Sequence, residues 1–442
     1  MSLGAWLKRL PPPGMLALMY LVFIALGAAG LKLPWSLHHP ISWSDAIFTS
    51  TSAVTVTGLT VVSTGDSFTH LGQGIIMVLM QMGGLGLMTF AVLLLSALGV
   101  PIGIPQRIVL REDLNQTSMR NLTALVGIIL RLAVMFELGA FALLSTVFVP
   151  DHGIAQGMWH AGFHAVSAWN NAGFSTFTDS LTDYAGDPLV TFTVTTLFIV
   201  SGLGFVVLAE LWQKRAWKPL SLHSKLMLTG TPVLIGVAFV LFAALEWRNP
   251  GTLSAIDGIG TRLQAAYFQA VTPRTAGFNT IDTTAMREST ALMTIGLMIV
   301  GGGSTSTAGG IKVTTAFVLV LATLAFFRRQ RQLNAFGRAL GTEEVHKVMA
   351  LTTVSALILF TGLFLLTLTN PTEFLPLAFE VASAFGTVGL TMGATGTLDD
   401  VGRTVIILIM FLGRVGPLVL GFFLATQVQP RVGYPKGQVY LG

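Results

Sequence analysis

Eight long apolar windows organise this chain, at about residues 14–33, 70–98, 121–149, 186–212, 224–246, 290–327, 346–369 and 402–427. A helix needs about 20 residues to cross roughly 30 Å of hydrocarbon, and each window supplies them. Within each successive pair lies a shorter apolar segment, at about 43–55, 157–169, 259–272 and 373–386. These segments are too short to cross and fit re-entrant half-helices. Charged residues make up only 10% of the 442, against about 25% in soluble domains, which puts the chain in a bilayer. The pattern predicts an all-α integral membrane protein with eight transmembrane helices and four re-entrant pore helices.

Charge placement supplies the orientation. Eight crossings leave both termini on one side, and the loops there carry 16 of the 25 basic residues, among them Lys8, Arg9, Arg107, Lys214, Arg328, Arg331 and Lys436. The opposite loops carry six: Lys32, Arg248, Arg262, Arg274, Arg287 and Arg403. The positive-inside rule therefore predicts cytoplasmic termini for a multi-pass protein of the cytoplasmic membrane, with the four short segments on the outside. Scattered through short loops, the net charge of +5 gives no footprint for nucleic acid. The first window follows Lys8 and Arg9 and imitates a signal peptide, but it exceeds an h-region of about 7–15 residues and reads as a retained span. With no cysteine, disulfides and thiolate-bound metals are excluded.

Internal repetition is the next signal. After each short segment comes a comparable run: Val56-Thr57-Gly58-Leu59-Thr60, Asn171-Ala172-Gly173-Phe174-Ser175, Thr275-Ala276-Gly277-Phe278-Asn279 and Thr387-Val388-Gly389-Leu390-Thr391. The glycines are 115, 104 and 112 residues apart, one repeat length each time. Repeats are expected at 1–105, 106–218, 219–338 and 339–430, with a tail at 431–442, arranged around one central pore. A half-helix that stops inside the membrane aims its negative dipole end at the centre, which favours a cation. The extended run after it can turn carbonyls inward to replace an ion's hydration shell. Glycine suits the bend because it tolerates positive φ and lets backbone approach closely. The expected ion-binding set is the backbone of Thr55, Val56, Thr57 and Gly58; Asn170, Asn171, Ala172 and Gly173; Arg274, Thr275, Ala276 and Gly277; and Gly386, Thr387, Val388 and Gly389. Arg274 must point its side chain away from such a filter and brace the loop.

The sixth window is about 38 residues, far more than a crossing needs, and its middle is Gly301-Gly302-Gly303-Ser304-Thr305-Ser306-Thr307-Ala308-Gly309-Gly310. Each glycine costs a helix about 1 kcal/mol relative to alanine, so this stretch should be unwound. Unwound backbone at membrane depth must face water or protein. It reads either as a loop across the conduction path that gates it, or as a small-residue patch for helix packing. Arg414, near the middle of the last window, costs about 2.5–3.5 kcal/mol on insertion scales and marks function by default. It is an electrostatic barrier, a partner of loop carbonyls, or both. Lys312 follows the broken segment and either pairs with carbonyls or marks its cytoplasmic end. His160 and His164 stand four apart on the second half-helix, a spacing that can ligate zinc, but no acid follows as a third ligand and a packed, hydrogen-bonded pair is the preferred reading. Glu380, on the fourth half-helix, either lends negative potential to the outer mouth or is a buried, hydrogen-bonded carboxylate. Phosphate-loop and nucleophile signatures are missing, so no enzyme activity and no organic cofactor are expected on this chain.

At these residues the chain resembles the Trk/Ktr/HKT superfamily of cation transporters. The resemblance spans essentially the whole length and includes Gln81-Met82-Gly83-Gly84-Leu85-Gly86, Gly202-Leu203-Gly204-Phe205, the 301–312 segment and Gly413-Arg414-Val415-Gly416-Pro417. It looks most like the Ktr-type membrane subunit, because the first span begins near residue 14 with no preceding helical hairpin and the tail 434–442 is of the Ktr kind. The resemblance implies potassium uptake, commonly sodium-dependent, a homodimer with the tail at its interface, and a cytosolic ring of nucleotide-binding regulatory subunits. It makes 301–310 a gating loop, with Arg414 in the pore below the filter, and has His164 support the filter. Glycine at all four filter positions goes with potassium in this superfamily, whereas serine in the first repeat goes with sodium in some plant members. A sodium-conducting member and a non-transporting membrane scaffold are the competing readings.

Overall fold

The computed structural model describes residues 12–86, 89, 122–330 and 332–416. The boundary expected at 105/106, the tail at 431–442 and Pro417 lie outside them. Helical segments occupy each of the eight windows and all four short segments. The first repeat holds α1 (Pro12–Leu31), α2 (Trp43–Val54) and α3 (His70–Leu85). The second holds α4 (Leu122–His152), α5 (Ile154–Trp169), α6 (Pro188–Leu203) and α7 (Phe205–Lys214). The third holds α8 (Leu222–Glu246), α9 (Ile259–Val271), α10 (Glu288–Ile299) and α11 (Val313–Phe327). The fourth holds α12 (Thr342–Thr369), α13 (Phe374–Gly386) and α14 (Asp400–Val415). Among the described residues, α1, α4, α8 and α12 are each long and apolar enough to cross a membrane, and α6 with α7 forms a fifth candidate bent by 89°.

Among the described residues, one element departs from an all-α reading. A hairpin of β1 (Leu333–Ala335) and β2 (Arg338–Leu340) joins α11 to α12. Its two-residue turn, Phe336-Gly337, has positive φ at both positions (51° and 72°), which matches the twist that short hairpins need. The expected repeat boundary at 338/339 falls inside β2, so this hairpin, rather than a bare linker, joins the third and fourth repeats.

Capping explains where the helices start. Ser42 and Asp45 form a reciprocal capping box at the head of α2. Asp187 caps α6 with Pro188 at its first position, and Asp399 caps α14. The second helix of a repeat ends on a glycine in three of the four repeats: Gly86 (φ 88°, ψ 129°), Gly204 (101°, 136°) and Gly416 (95°, 140°). In the third repeat the same helix stops at Ile299 and resumes at Val313. Interruption of this helix is thus described in the second repeat, at Gly204, and in the third, at 300–312, whereas composition flagged it only in the sixth window, where five glycines fall together.

Packing closes the four repeats into a ring. The four pore helices α2, α5, α9 and α13 each carry a fully buried phenylalanine at the equivalent position: Phe48, Phe163, Phe268 and Phe379. Each fills the apolar cluster of the preceding repeat. Phe163 packs with the first repeat's Ala46 and Met80, Phe268 with the second repeat's Trp169 and Phe198, and Phe379 with the third repeat's Leu253 and Met298. Phe48 of the first repeat completes the cycle among Leu377, Val381 and Ile406 of the fourth. In a bilayer such contacts act through close packing rather than exclusion of water, and they tie each repeat to its neighbour. An Arg403–Asp45 ion pair at 2.9 Å staples the last repeat to the first.

A candidate ion pathway

Where the four pore helices end, the four motif glycines meet. All have positive φ: Gly58 at 91°, Gly173 at 68°, Gly277 at 77° and Gly389 at 96°. A Cβ built on Gly58 would lie 3.1 Å from the Cα of Gly173, and one on Gly173 would lie 2.8 Å from that of Gly277. From Gly277 the distance is 3.3 Å to the Cα of Gly389, and from Gly389 it is 3.0 Å to that of Gly58. The cycle is closed, and only backbone lies between neighbours. Any side chain here would strike the carbonyl of the residue preceding the next glycine: Ala172, Ala276, Val388 or Thr57.

Two residues before each glycine the backbone is left-handed as well, at Val56 (φ 58°), Asn171 (58°), Thr275 (68°) and Thr387 (49°). Three of these four are β-branched, for which this region costs about 1–2 kcal/mol per residue. Such strain persists where the surroundings over-determine it. Here a pore-helix hydroxyl in each repeat holds the run. Ser52 Oγ accepts from Gly58 N at 3.0 Å and Ser383 Oγ accepts from Gly389 N at 3.1 Å. In the other two repeats the hydroxyl donates instead, from Ser167 to the Phe174 carbonyl at 2.7 Å and from Thr272 to the Phe278 carbonyl at 2.5 Å. These four hydroxyls were absent from the expected site. Their signal was available, since one precedes the motif glycine by six residues in three repeats and by five in the third.

The remaining expected residues distribute around this ring. Thr55, Thr57, Asn170, Ala172, Ala276 and Val388 are fully buried. The Thr55 and Thr57 hydroxyls meet at 2.7 Å. Gly386 is the last residue of α13, where a side chain would strike the Met298 carbonyl. Arg274 is 7% exposed and turns from the ring toward α8, donating from a terminal nitrogen to Thr231 Oγ1 at 3.5 Å. Pore-helix C-terminal ends converge on the ring from all four repeats, bringing four negative dipole ends with them.

Directly against the ring lies the interrupted segment 301–312. Its two ends pair with each other: Gly301 N donates to the Ile311 carbonyl at 2.8 Å, and Ile311 N donates to that of Ile299 at 3.1 Å. Between them the chain loops out through Gly302, Gly303, Ser304, Thr305 and Ser306. Gly303 N donates to the Gly202 carbonyl at 2.8 Å, and the Thr305 carbonyl accepts from Phe205 N at 2.9 Å. Thr307 donates to Asn171 Oδ1 at 2.9 Å. Gly301 packs on the Thr275 methyl, and Gly309 is so close to the Thr387 side chain that a Cβ would overlap it. Gly310, at φ 65°, sits on the Cα of Gly386. The segment therefore touches the left-handed residue of three repeats. The Arg414 guanidinium reaches the fourth side, donating to the carbonyls of Thr307 and of Gly83 in α3. Lys312 Nζ donates to the Ala308 carbonyl at 2.6 Å.

Behind the ring, polar side chains of the pore helices bind the strands beyond the glycines. His164 is fully buried, with Nε2 2.9 Å from Ser175 Oγ and Nδ1 2.7 Å from the His160 carbonyl. His160 Nδ1 is 2.7 Å from Thr176 Oγ1. Both rings are thus engaged by protein atoms. Glu380 is fully buried and accepts from the Thr391 hydroxyl, from the Thr395 hydroxyl at 2.5 Å and from Thr395 N at 3.3 Å.

The family described as TrkH, cation transport protein, matches residues 21–428. The chain is 46% identical over 434 residues to the "Ktr system potassium uptake protein B" of Bacillus subtilis, covering 98% of this chain and 97% of that protein. It is 38% identical over 448 residues to the "Potassium/sodium uptake protein NtpJ" of Enterococcus hirae, covering 98% of each. The crystal structure of the potassium transporter TrkH from Vibrio parahaemolyticus shares the fold, with a TM-score of 0.73 at 22% identity over 94% of this chain and 86% of that one. With a family model matched over most of its length and near-full-length relatives, this chain is a membrane protein of the TrkH cation transport family, a family of transporters and not of enzymes.

Proposed function

We propose that this chain takes up potassium across the cytoplasmic membrane through one axial pathway per protomer. Backbone carbonyls of residues 55–58, 170–173, 274–277 and 386–389 hold the dehydrated ion. The closed cycle of Gly58, Gly173, Gly277 and Gly389 carries this reading, because four converging backbones and four helix C-termini offer a cation a shell of dipoles without any acidic side chain. The names of the relatives support potassium, and the word sodium in the name of the E. hirae relative keeps a sodium-conducting reading in view. Segment 301–312, lying across the ring, acts as the inner gate. Arg414 holds that gate closed and adds a positive barrier beneath the filter. Cytoplasmic termini follow from the basic loops. Sodium dependence, a homodimer, and a cytosolic nucleotide-binding partner come with the resemblance to Ktr systems.

Reconstitution into liposomes tests the reading. Wild-type protein should carry rubidium, as a potassium analogue, at least about tenfold faster than sodium, and Gly58→Ser should bring the two rates close together. A tenfold ratio corresponds to ~1.4 kcal/mol of barrier difference. Equal wild-type rates would establish the sodium-conducting alternative. Liposomes no leakier than protein-free ones would remove the pathway altogether.

A further inference from the structure

Glu137 stands 15 residues from either end of α4, about 22 Å along the helix axis in each direction. Among the described residues, it is the only acidic residue far from a helix end in the four helices long enough to cross. An ionisable group at that depth marks function by default, with its partner to be named. The partner is Gln81 on α3, whose Nε2 donates to the Glu137 carboxylate at 2.9 Å. Gln81 Oε1 in turn accepts from Asn170 Nδ2 at 2.6 Å. The same Asn170 nitrogen donates to the Val166 carbonyl at 2.9 Å, which fixes the direction of the amide. Every donor in the chain therefore points one way, from the pore toward the carboxylate.

Asn170 is the residue that ends α5 (φ −81°, ψ −1°), immediately before the left-handed Asn171 of the ring. It is fully buried, and among the described residues its Oδ1 has no hydrogen-bond partner. Gly84 of α3 presses on it so closely that a Cβ there would overlap the Asn170 side chain. Beside the relay, Phe136 stacks on Trp169 with ring centroids 5.0 Å apart and planes 13° from parallel, so the flanking residues lock α4 to α5. The corresponding positions in the other repeats are Thr55, Arg274 and Gly386, and each is held differently. Thr55 bonds back to the Thr51 carbonyl at 2.7 Å, Arg274 reaches Thr231, and Gly386 has no side chain.

We propose that Glu137 is a positioning residue for ion selection, acting through Gln81 and Asn170 on the second strand of the ring. It accepts the last hydrogen bond of a relay that starts at the filter and ends at mid-membrane. Removing the acceptor frees the Gln81 amide to turn, and the Asn170 side chain that bonds its oxygen loses a fixed partner. This inference rests on the ring being the selectivity filter.

Rubidium and sodium uptake into liposomes, with the thermal midpoint of each purified variant, tests it. Glu137→Leu should lower the rubidium-to-sodium ratio about tenfold, and Gln81→Leu should do the same, while the double variant loses no more than either alone because all act on one line. Glu137→Gln, which still accepts a hydrogen bond, should stay within about twofold of wild type. A wild-type ratio in Glu137→Leu, with or without a lower thermal midpoint, overturns the proposal, as does an additive loss in the double variant. If Glu137→Leu does not fold, Glu137→Ala takes its place with the same expected and overturning ratios. A wild-type protein that fails to discriminate rubidium from sodium would sink the filter assignment instead.

Discussion

The glycine ring and the segment beneath it are both irregular backbone at membrane depth, yet they are held in opposite ways. The ring is built four times from local parts: each run hangs on a hydroxyl of its own pore helix, five or six residues earlier. Segment 301–312 occurs once and, besides the bonds within its own repeat, is held by two other repeats. Its bonds go to Gly202, Phe205 and Asn171 of the second repeat, and Arg414 of the fourth clamps it. A structure that must discriminate by size gains from redundant, local support, since no single contact can shift it far. One that must move gains from being singular and dependent on partners that can let go. The two regions thus separate by their mode of support into a rigid element and a candidate switch.

Breaking the ring should have the largest effect. Gly277→Ala places a side chain at φ 77° against the Val388 carbonyl. Left-handed strain alone costs about 1–2 kcal/mol before the collision is counted. Rubidium uptake should fall about a hundredfold, and a variant that keeps wild-type flux and selectivity would show that backbone closure is unnecessary.

Releasing the loop should act the other way and leave selection alone. Arg414→Ala removes the donor to both clamped carbonyls, so rubidium flux should rise about tenfold, or ~1.4 kcal/mol, with the rubidium-to-sodium ratio kept. A changed ratio at unchanged flux would reverse the roles assigned to the two regions. Thinning the local support should give the smallest effect. Ser52→Ala withdraws one acceptor from Gly58 N at a cost of about 1 kcal/mol. The flux ratio should drop roughly fivefold, while three intact hydroxyls keep the ring assembled. Loss as large as that of Gly277→Ala would mean the support is not redundant.

Much of this was legible from residues alone. Window length announced the membrane, because hydrocarbon thickness sets how many apolar residues a helix needs. The four glycine runs were visible because the pore helix and its strand are adjacent in sequence, so each repeat writes the same short text. Five glycines in ten residues marked the break at 301–310, since helix propensity sums locally. Less visible was the 89° bend at Gly204, one glycine among the 48 in the chain. The hairpin at 333–340 escaped because its strands are three residues long and carry too little pattern to register.

By itself, then, the amino-acid order determined that the chain inserts in a bilayer, repeats four times, and unwinds in its sixth window. Those properties depend on hydrophobic length, period and propensity over neighbouring residues. Tertiary structure alone decided that Gly389 meets Gly58 and that Phe48 completes the fourth repeat's core. It also decided that Arg414 bonds Gly83 across 331 positions, and that Glu137 connects with Asn170 through a glutamine 89 positions before that asparagine. Such contacts arise from closing a chain into a ring. The physical reason they stay hidden is that closure brings together side chains whose separation in sequence follows no period.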